Sequence, residues 1–311
     1  MAHVALLLPA RARFGGQRLS PQTARALGRA DRRDENAGAR AQLRRHFSLI
    51  PDHWPLASLT RRVDAEDAAG ACWLRADPAH VRAGINGATL LACGDGVGLT
   101  PEETAALLQP LRPLFGDTGF LIDAPRPGHW YLRLPREAKL PRFTEPSEAL
   151  GTDVFEHLPE GDVGRRWRSL LSEAEVVLHN HPLNARRAGE GRLAVNSLWF
   201  WGGGVLPDHT SARRARLQSD DEVMGALGHG SAAVESLPGQ YGHAEDDLLV
   251  DLRALRDLAH IDRDWLQPAL QDVASGRLEG LELDLADGHI IGFERRQRWR
   301  VWRRPCERLG A

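Results

Sequence analysis

The run Val4-Ala5-Leu6-Leu7-Leu8 contains no polar position, so a strand built from it has no face to turn to water. Such a strand needs cover on both sides, and a sheet held between helical layers supplies it. The run is too short to span a bilayer or to form the apolar region of an export signal. A cytoplasmic protein without a membrane partner is the expectation.

The remaining pattern alternates helix and strand signals. Arg11 to Arg45 reads as helix in two pieces, broken near Ala37-Gly38, and Ala71–Ala76 as a strand ending at Asp77-Pro78, where Asp77 could cap a short helix. Thr89–Cys93 and Val97–Leu99 flank Gly94-Asp95-Gly96, a hairpin signal. Thr100, Pro101 and Glu103 together predict a capping box at a helix start, with Ala105, Leu108 and Leu111 on its apolar stripe. A second hairpin joins Phe120–Asp123 to His129–Leu134. Gly164–Ala174 reads as helix, Val176–His179 and Ala194–Trp201 as strands, and Ser219–Leu227, Glu245–Leu258 and Asp262–Ala274 as helices. Leu278–Leu285, Ile290–Phe293 and Trp299–Trp302 close the chain as strands. The sum is an α/β protein with a mixed, mostly buried sheet flanked by helices and antiparallel hairpins in the N-terminal half. Proline-punctuated Pro135 to Thr152 marks a boundary between parts 1–150 and 151–311, unless the two form one continuous domain.

Composition removes several function classes. The formal net charge is -2, so no global field draws in nucleic acid. Lys139 is the only lysine, which excludes a Schiff-base or Walker-type phosphate lysine and leaves phosphate recognition to arginine. Cys72, Cys93 and Cys306 are odd in number and unpatterned, and read as reduced core thiols. The basic-aromatic stretch Arg295 to Arg304 reads as a solvated edge strand, and Trp130-Tyr131 as core.

The sharpest pattern is His179 to Gly204. On a strand, His179 and His181 share a face and could hold a divalent metal or an anion; no third ligand has metal-site spacing, so no cofactor is expected. Asn184 and Arg187 add donors suited to a phosphate or carboxylate. In Asn196-Ser197-Leu198-Trp199-Phe200-Trp201, alternation puts Ser197, Trp199 and Trp201 on one face, and Gly202 and Gly203 begin a triple glycine whose N–H groups could meet a ligand. If the two strands are parallel neighbours, His179, His181, Asn184, Arg187, Asn196, Ser197, Trp199, Trp201, Gly202 and Gly203 line one pocket for a small anionic metabolite. An antiparallel pairing would send the two motif ends to opposite edges.

His181-Pro182-Leu183-Asn184 followed by Asn196-Ser197-Leu198-Trp199 and Trp201-Gly202-Gly203-Gly204 resembles the RpfE-type regulatory proteins of proteobacteria, as do Ala76 to Arg82, Trp130-Tyr131-Leu132 and Trp302 to Pro305. In such proteins an acidic residue is expected just after Arg187, where this chain has Ala188. They are often labelled cofactor-independent phosphoglycerate mutase, through distant similarity to the alkaline phosphatase superfamily. The resemblance implies that fold. The superfamily's chemistry implies two metal ions and a metal-binding Asp at the end of the first strand, where this chain has Pro9-Ala10-Arg11. Asp208-His209 comes nearest to a downstream ligand pair. The leading expectation is a non-catalytic regulatory or ligand-sensing protein; the alternatives are an active metal-dependent phosphotransfer enzyme and a protein-partner-binding module.

Overall fold

The computed structural model describes residues 2–84 and 87–309. The chain divides into two compact units, Met1–Asp52 with His209–Ala311, and His53–Asp208 inserted between them. The division expected near residue 150 falls inside the inserted unit.

The first unit carries a seven-stranded sheet in the order Ala233–Glu235, Arg216–Gln218, Leu248–Asp251, Ala2–Leu8, Leu278–Leu285, His289–Glu294, Asp31–Asp34. The first five strands are mutually parallel and the last two join antiparallel. Ala2–Leu8 lies in the middle, and Val4 through Leu8 are fully buried. Its Val4, Leu6 and Leu8 face packs with Leu27 of helix Pro21–Arg29 and with Trp265, Ala269 and Val273. On the other face, Gln42 Nε2 donates to the carbonyls of Leu8 (3.1 Å) and Asp284 (2.6 Å), tying helix Ala39–Arg44 to the sheet. A strand with two apolar faces is thus covered twice.

Several expected elements in this unit differ. Arg11 to Arg45 contains a 3-10 turn, two short helices and the strand Asp31–Asp34. Glu245–Leu258 is not helix: Leu248-Leu249-Val250 is an apolar run and pairs in parallel with Val4-Ala5-Leu6. Helix Glu222–Gly228 begins later than expected, at the Asp221 cap, and Asp262 to Ser275 is helical with a π turn at its start. Trp299–Trp302 is no strand; Arg295–Trp299 is a 3-10 turn, and Trp299 and Trp302 are exposed.

The inserted unit is built on the twelve-residue strand Cys72–Ala83. Ser197–Val205 runs antiparallel along one edge of it. The other edge is shared by His129–Leu134, paired with Cys72 to Arg75, and Ala88–Cys93, paired with Ala79 to Ala83. Leu121–Arg126 completes the hairpin with His129–Leu134. Asp77-Pro78 therefore lies inside a strand instead of starting a helix. Pro78, which has no N–H to give, sits where the ladder on that edge is interrupted between Arg75 and Ala79. Gly94–Val97 forms a 3-10 turn, not a hairpin, and leads into helix Pro101–Gly116, whose Thr100–Glu103 capping box is formed as expected.

Helix Gly161–His179 absorbs the segment expected as a strand at Val176–His179. The apolar stripe Trp167, Leu170, Ala174, Leu178 continues at helical spacing to the end and is buried, while Val176 points outward and is 63% exposed. Two adjacent valines mimic a strand; the four-residue period overrides them. The stripe packs with Leu74, Ala76, Trp130 and Phe200 of the sheet. The opposite face meets helix Leu56–Ala65 through Ala57, Trp73 and Tyr131. Cys72, Cys93 and Cys306 are free thiols, and no helix among the described residues is long and apolar enough to cross a membrane.

The triple glycine ends Ser197–Val205 for a packing reason. Gly202 adopts φ +67°, and a Cβ there would lie 2.9 Å from the backbone nitrogen of Ala57. Gly191 has a similar φ of +72° but open space around it. Gly202→Ala should therefore lower stability by about 2–4 kcal/mol, strain plus overpacking, and Gly191→Ala by only about 1 kcal/mol. Urea unfolding midpoints of the two variants check this; equal losses would mean that helix Leu56–Ala65 does not press on the strand.

Candidate functional site

Helix Gly161–His179 presents Arg168, Ser172, Glu175 and His179 along one face, at spacings of four, three and four residues. Beside that face and the start of the Ser197–Val205 strand opens a cleft of about 660 Å³. Glu175, His179, Asn196, Ser197 and Trp199 line it, with Phe155 on a further wall. Four residues expected to share a pocket, His179, Asn196, Ser197 and Trp199, are thus brought together.

Each of these walls is fixed by a specific bond. Asn196 is held at two points on Val81, accepting from its N–H (2.8 Å) and donating to its carbonyl (2.7 Å). The Trp199 indole N–H donates to the Thr144 carbonyl at 2.9 Å. The Ser197 hydroxyl donates to Glu175 Oε1 at 2.7 Å, the only partner of that carboxyl among the described residues. Burial pushes the Glu175 carboxyl up from its ordinary range, with the Ser197 hydrogen bond opposing. Arg168 donates to the Pro159 carbonyl, which steers its guanidinium. The cleft therefore combines a mainly apolar wall, one half-buried carboxyl and two basic side chains.

The other expected pocket residues serve the fold. His179 ends one helix and His181 caps the next, Pro182–Gly189, accepting from the Leu183 N–H at 3.2 Å. No strand carries the His179-Asn180-His181 segment, so the imidazoles are not a strand-face pair. Asn184 is buried and holds the turn, donating to the Leu178 and Val195 carbonyls (2.7 Å each) and accepting from the Val195 N–H (2.8 Å). Arg187 is completely buried; it reaches the carbonyls of Leu193 and Val97 and pairs with Glu103 Oε2 at 2.5 Å. The carboxylate expected beside Arg187 thus comes from the Thr100 capping box. Trp201 donates to Asp77 Oδ2 at 2.7 Å. Gly202 and Gly203 pack against Ala57 and Leu140 and do not line the cleft. The single pocket joining both motifs with the triple glycine is not formed.

Phe155, on the 3-10 turn Val154–His157, carries no sequence signal of its own, whereas Arg168 and Glu175 escape because reading Val176–His179 as a strand breaks the helix face they share. The Trp167-Leu170-Ala174-Leu178 stripe was the signal that placed them.

The superfamily's metal chemistry would sit at the carboxyl edge of the parallel strands in the first unit, and the residues there do not fit it. Ala2–Leu8 runs into Pro9-Ala10-Arg11, and Arg11 Nε lies 2.6 Å from Asp287 Oδ2. Asp251 is clasped by Arg253 at 2.8 Å to each oxygen and accepts from the Ser219 hydroxyl at 3.0 Å. Guanidinium groups hold both oxygens of Asp251 and one of Asp287, whose Oδ1 is buried without a hydrogen-bond partner among the described residues, and their charge opposes divalent ions. Among the described residues, no group of three or more His, Cys, Asp and Glu side chains could hold a metal ion. Asp208 and His209 belong to no such group.

Part of the chain is similar in sequence to curated phosphoglycerate mutases. A probable 2,3-bisphosphoglycerate-independent phosphoglycerate mutase of Geobacter sulfurreducens is 30% identical over 142 residues, which cover 45% of this chain and 33% of that protein. The 2,3-bisphosphoglycerate-independent phosphoglycerate mutase of Methanothrix thermoacetophila is 27% identical over 205 residues, 62% of this chain and 52% of that protein. The scaffold is phosphoglycerate-mutase-like. The matched region spans a third to a half of the length of these relatives. Among solved structures, a cofactor-independent phosphoglycerate mutase from Thermoplasma acidophilum aligns over 94% of this chain and 90% of its own, at 14% identity and a TM-score of 0.44. No family model matches the chain.

The Arg187–Glu103 pair makes a pH-dependent prediction. Burial raises the Glu103 carboxyl, but the Arg192 hydrogen bond, the Thr100 backbone bond and the Arg187 charge outweigh it and hold it below the ordinary range. A depressed carboxyl contributes stability that is full above its unfolded pKa and is lost as pH falls through the folded one. At pH 7, Glu103→Gln should cost about 3–5 kcal/mol, because it strands Arg187 as a buried charge. Chemical denaturation from pH 7 to pH 3 should show the gap between wild type and variant closing below the ordinary Glu range. A gap that stays constant would mean that the pair contributes nothing through its charge.

Proposed function

We propose that this protein binds a small molecule with an apolar body and a carboxylate head in the Glu175–Trp199 cleft, and acts as a ligand-responsive regulatory protein instead of a mutase. The observation that carries this reading is the convergence of His179, Asn196, Ser197 and Trp199 with Arg168 and Glu175 in one cleft of about 660 Å³, within the usual size of a small-molecule site. The lining is mainly apolar, so most of the affinity would come from burying the ligand's body against Trp199 and Phe155. Arg168 and His179 are the basic groups that an anionic head would meet. Glu175, whose carboxyl burial pushes up, is the acidic group that the same head would meet. The regulatory assignment follows the RpfE-type resemblance of the His181–Asn184 and Asn196–Gly204 segments. No cofactor is part of the proposal.

The names of the relatives favour a second reading, metal-dependent phosphoglycerate mutase activity. Pro9-Ala10-Arg11 and the arginine-held carboxylates weigh against it.

Two measurements separate the readings. With Mn²⁺ and 3-phosphoglycerate, the purified protein should form no 2-phosphoglycerate above background; chelator-sensitive turnover would establish the mutase instead. Titration with medium-chain fatty acids and aromatic carboxylates should quench tryptophan fluorescence saturably in wild type, and much less in Trp199→Phe. Arg168→Gln and His179→Ala should each weaken binding about tenfold, or 1.4 kcal/mol. Affinity unchanged in both variants would remove the cleft from consideration.

A further inference from the structure

A second cavity, in the first unit, has a different chemistry. It measures about 570 Å³ and is lined by five arginines, Arg33, Arg44, Arg45, Arg213 and Arg214, against the three carboxylates of Glu35, Asp247 and Glu282. His3 sits near the amino end of the central strand, and Asp247 directly precedes Leu248–Asp251, so the cavity lies away from the carboxyl edge.

The carboxylates there match the guanidinium groups in number, but not every guanidinium N–H has an acceptor. Arg45 is spent on Asp284, at 2.8 and 2.6 Å, and Arg44 lies 3.3 Å from Asp52. Glu282 serves Arg33 at 2.9 Å and Arg214 at 3.5 Å, while Asp247 is engaged by the His3 backbone N–H at 2.8 Å. Arg213 has no side-chain partner among the described residues and is exposed. Arg214 is nearly buried, its side chain 15% exposed, and its charge is met by Glu282 at 3.5 Å with Asp247 and Asp284 nearby. One of its terminal nitrogens donates to His46 Nδ1 at 2.9 Å, leaving His46 Nε2–H for Asp284 at 2.8 Å. Its Nε is buried and has no hydrogen-bond partner. A buried guanidinium N–H without an acceptor is costly, and an anion supplies the missing acceptor.

We propose that the Arg213–Arg214 cavity is a binding site for a phosphate group. The planar guanidinium fork matches phosphate oxygens at two points, and Arg213, unpaired at the rim, is there to meet the anion first. Arg213 supplies a free fork at the rim and Arg214 a fixed donor below it. Free phosphate and a phosphate monoester present the same oxygens to such a site. The site does not depend on the carboxylate cleft of the inserted unit.

Isothermal titration calorimetry at low salt, on the full chain, with inorganic phosphate, pyrophosphate and glycerol phosphate as separate probes, tests the proposal. At least one probe should bind saturably, with affinity falling as salt rises. Arg213→Gln, an exposed change with no native bond to break, should weaken it about tenfold, and Arg214→Gln more. Arg168→Gln, in the other cleft, should leave it unchanged. Inorganic phosphate binding as tightly as glycerol phosphate would identify the free anion as the ligand; binding of the ester alone would identify a phosphorylated metabolite. No binding of any probe at millimolar concentration, or equal binding in wild type and Arg213→Gln, would overturn the site.

Discussion

The inserted unit hangs on one buried carboxylate. Asp77, 2% exposed in the middle of the Cys72–Ala83 strand, accepts from Arg75 Nε at 2.7 Å, from the Trp201 indole at 2.7 Å and from the Trp130 N–H at 3.2 Å. Those bonds reach both neighbouring strands, so a single side chain sets their registers together. Arg75 is itself buried, with the rings of Tyr131 and Trp201 at 5.1 and 5.0 Å from its guanidinium. An ion pair this deep adds little net stability over apolar packing, but any other register would strand a charge. Its value is therefore specificity. A one-residue slip of Ser197–Val205 would carry Trp201 away from Asp77 and turn Leu198 and Phe200 out of the core.

That constraint explains why a motif that looks like a binding signature is mostly scaffold. Trp201 serves Asp77, Gly202 lets helix Leu56–Ala65 approach, Asn184 closes the turn between Leu178 and Val195, and Arg187 locks that turn to the capping box of helix Pro101–Gly116. Polar residues in a buried turn must meet every backbone group that the turn leaves open, so a dense polar pattern arises there without any ligand. What remains for a ligand is the outer side of the same elements. Ser197 and Trp199 lie two residues apart on the strand, facing the Glu175 turn of helix Gly161–His179.

The fold was legible in the sequence where a single period ran undisturbed. Val4 to Leu8 gave the central strand, Thr100 to Glu103 the capped helix, and Phe120 to Leu134 the hairpin, because each is decided by residues within one element. Reading failed where two signals competed. Val176-Val177 carried strand propensity inside a helical stripe, and Leu248 to Val250 sat in a segment whose flanking charges resembled a helix. The insertion of His53–Asp208 between two halves of one sheet leaves no local mark, since pairing of Ala2–Leu8 with Leu278–Leu285 is a contact across most of the chain. The cleft followed the same logic. Its strand half was visible, and its helix half vanished with the misread period.

Both cavities bear on what a phosphoglycerate-mutase-like scaffold can do once its strand ends change. At the carboxyl edge of the parallel strands, Arg11 and Arg253 take up the carboxylates of Asp287 and Asp251. An arginine in that position does more than omit a ligand. Arg253 holds Asp251 at two points and Arg11 holds Asp287 at one, and both charges oppose a cation at that edge. The cavity lined by Arg213 and Arg214 lies on the first unit, and the Glu175–Trp199 cleft lies on the inserted unit. The first is tied to the central strand, since Glu282 pairs in register with Ala5, whereas the second is built from the helix and strand of the other unit. Arginine at the strand ends weighs against divalent ions there, and the two cavities are where the proposed ligands would meet the chain.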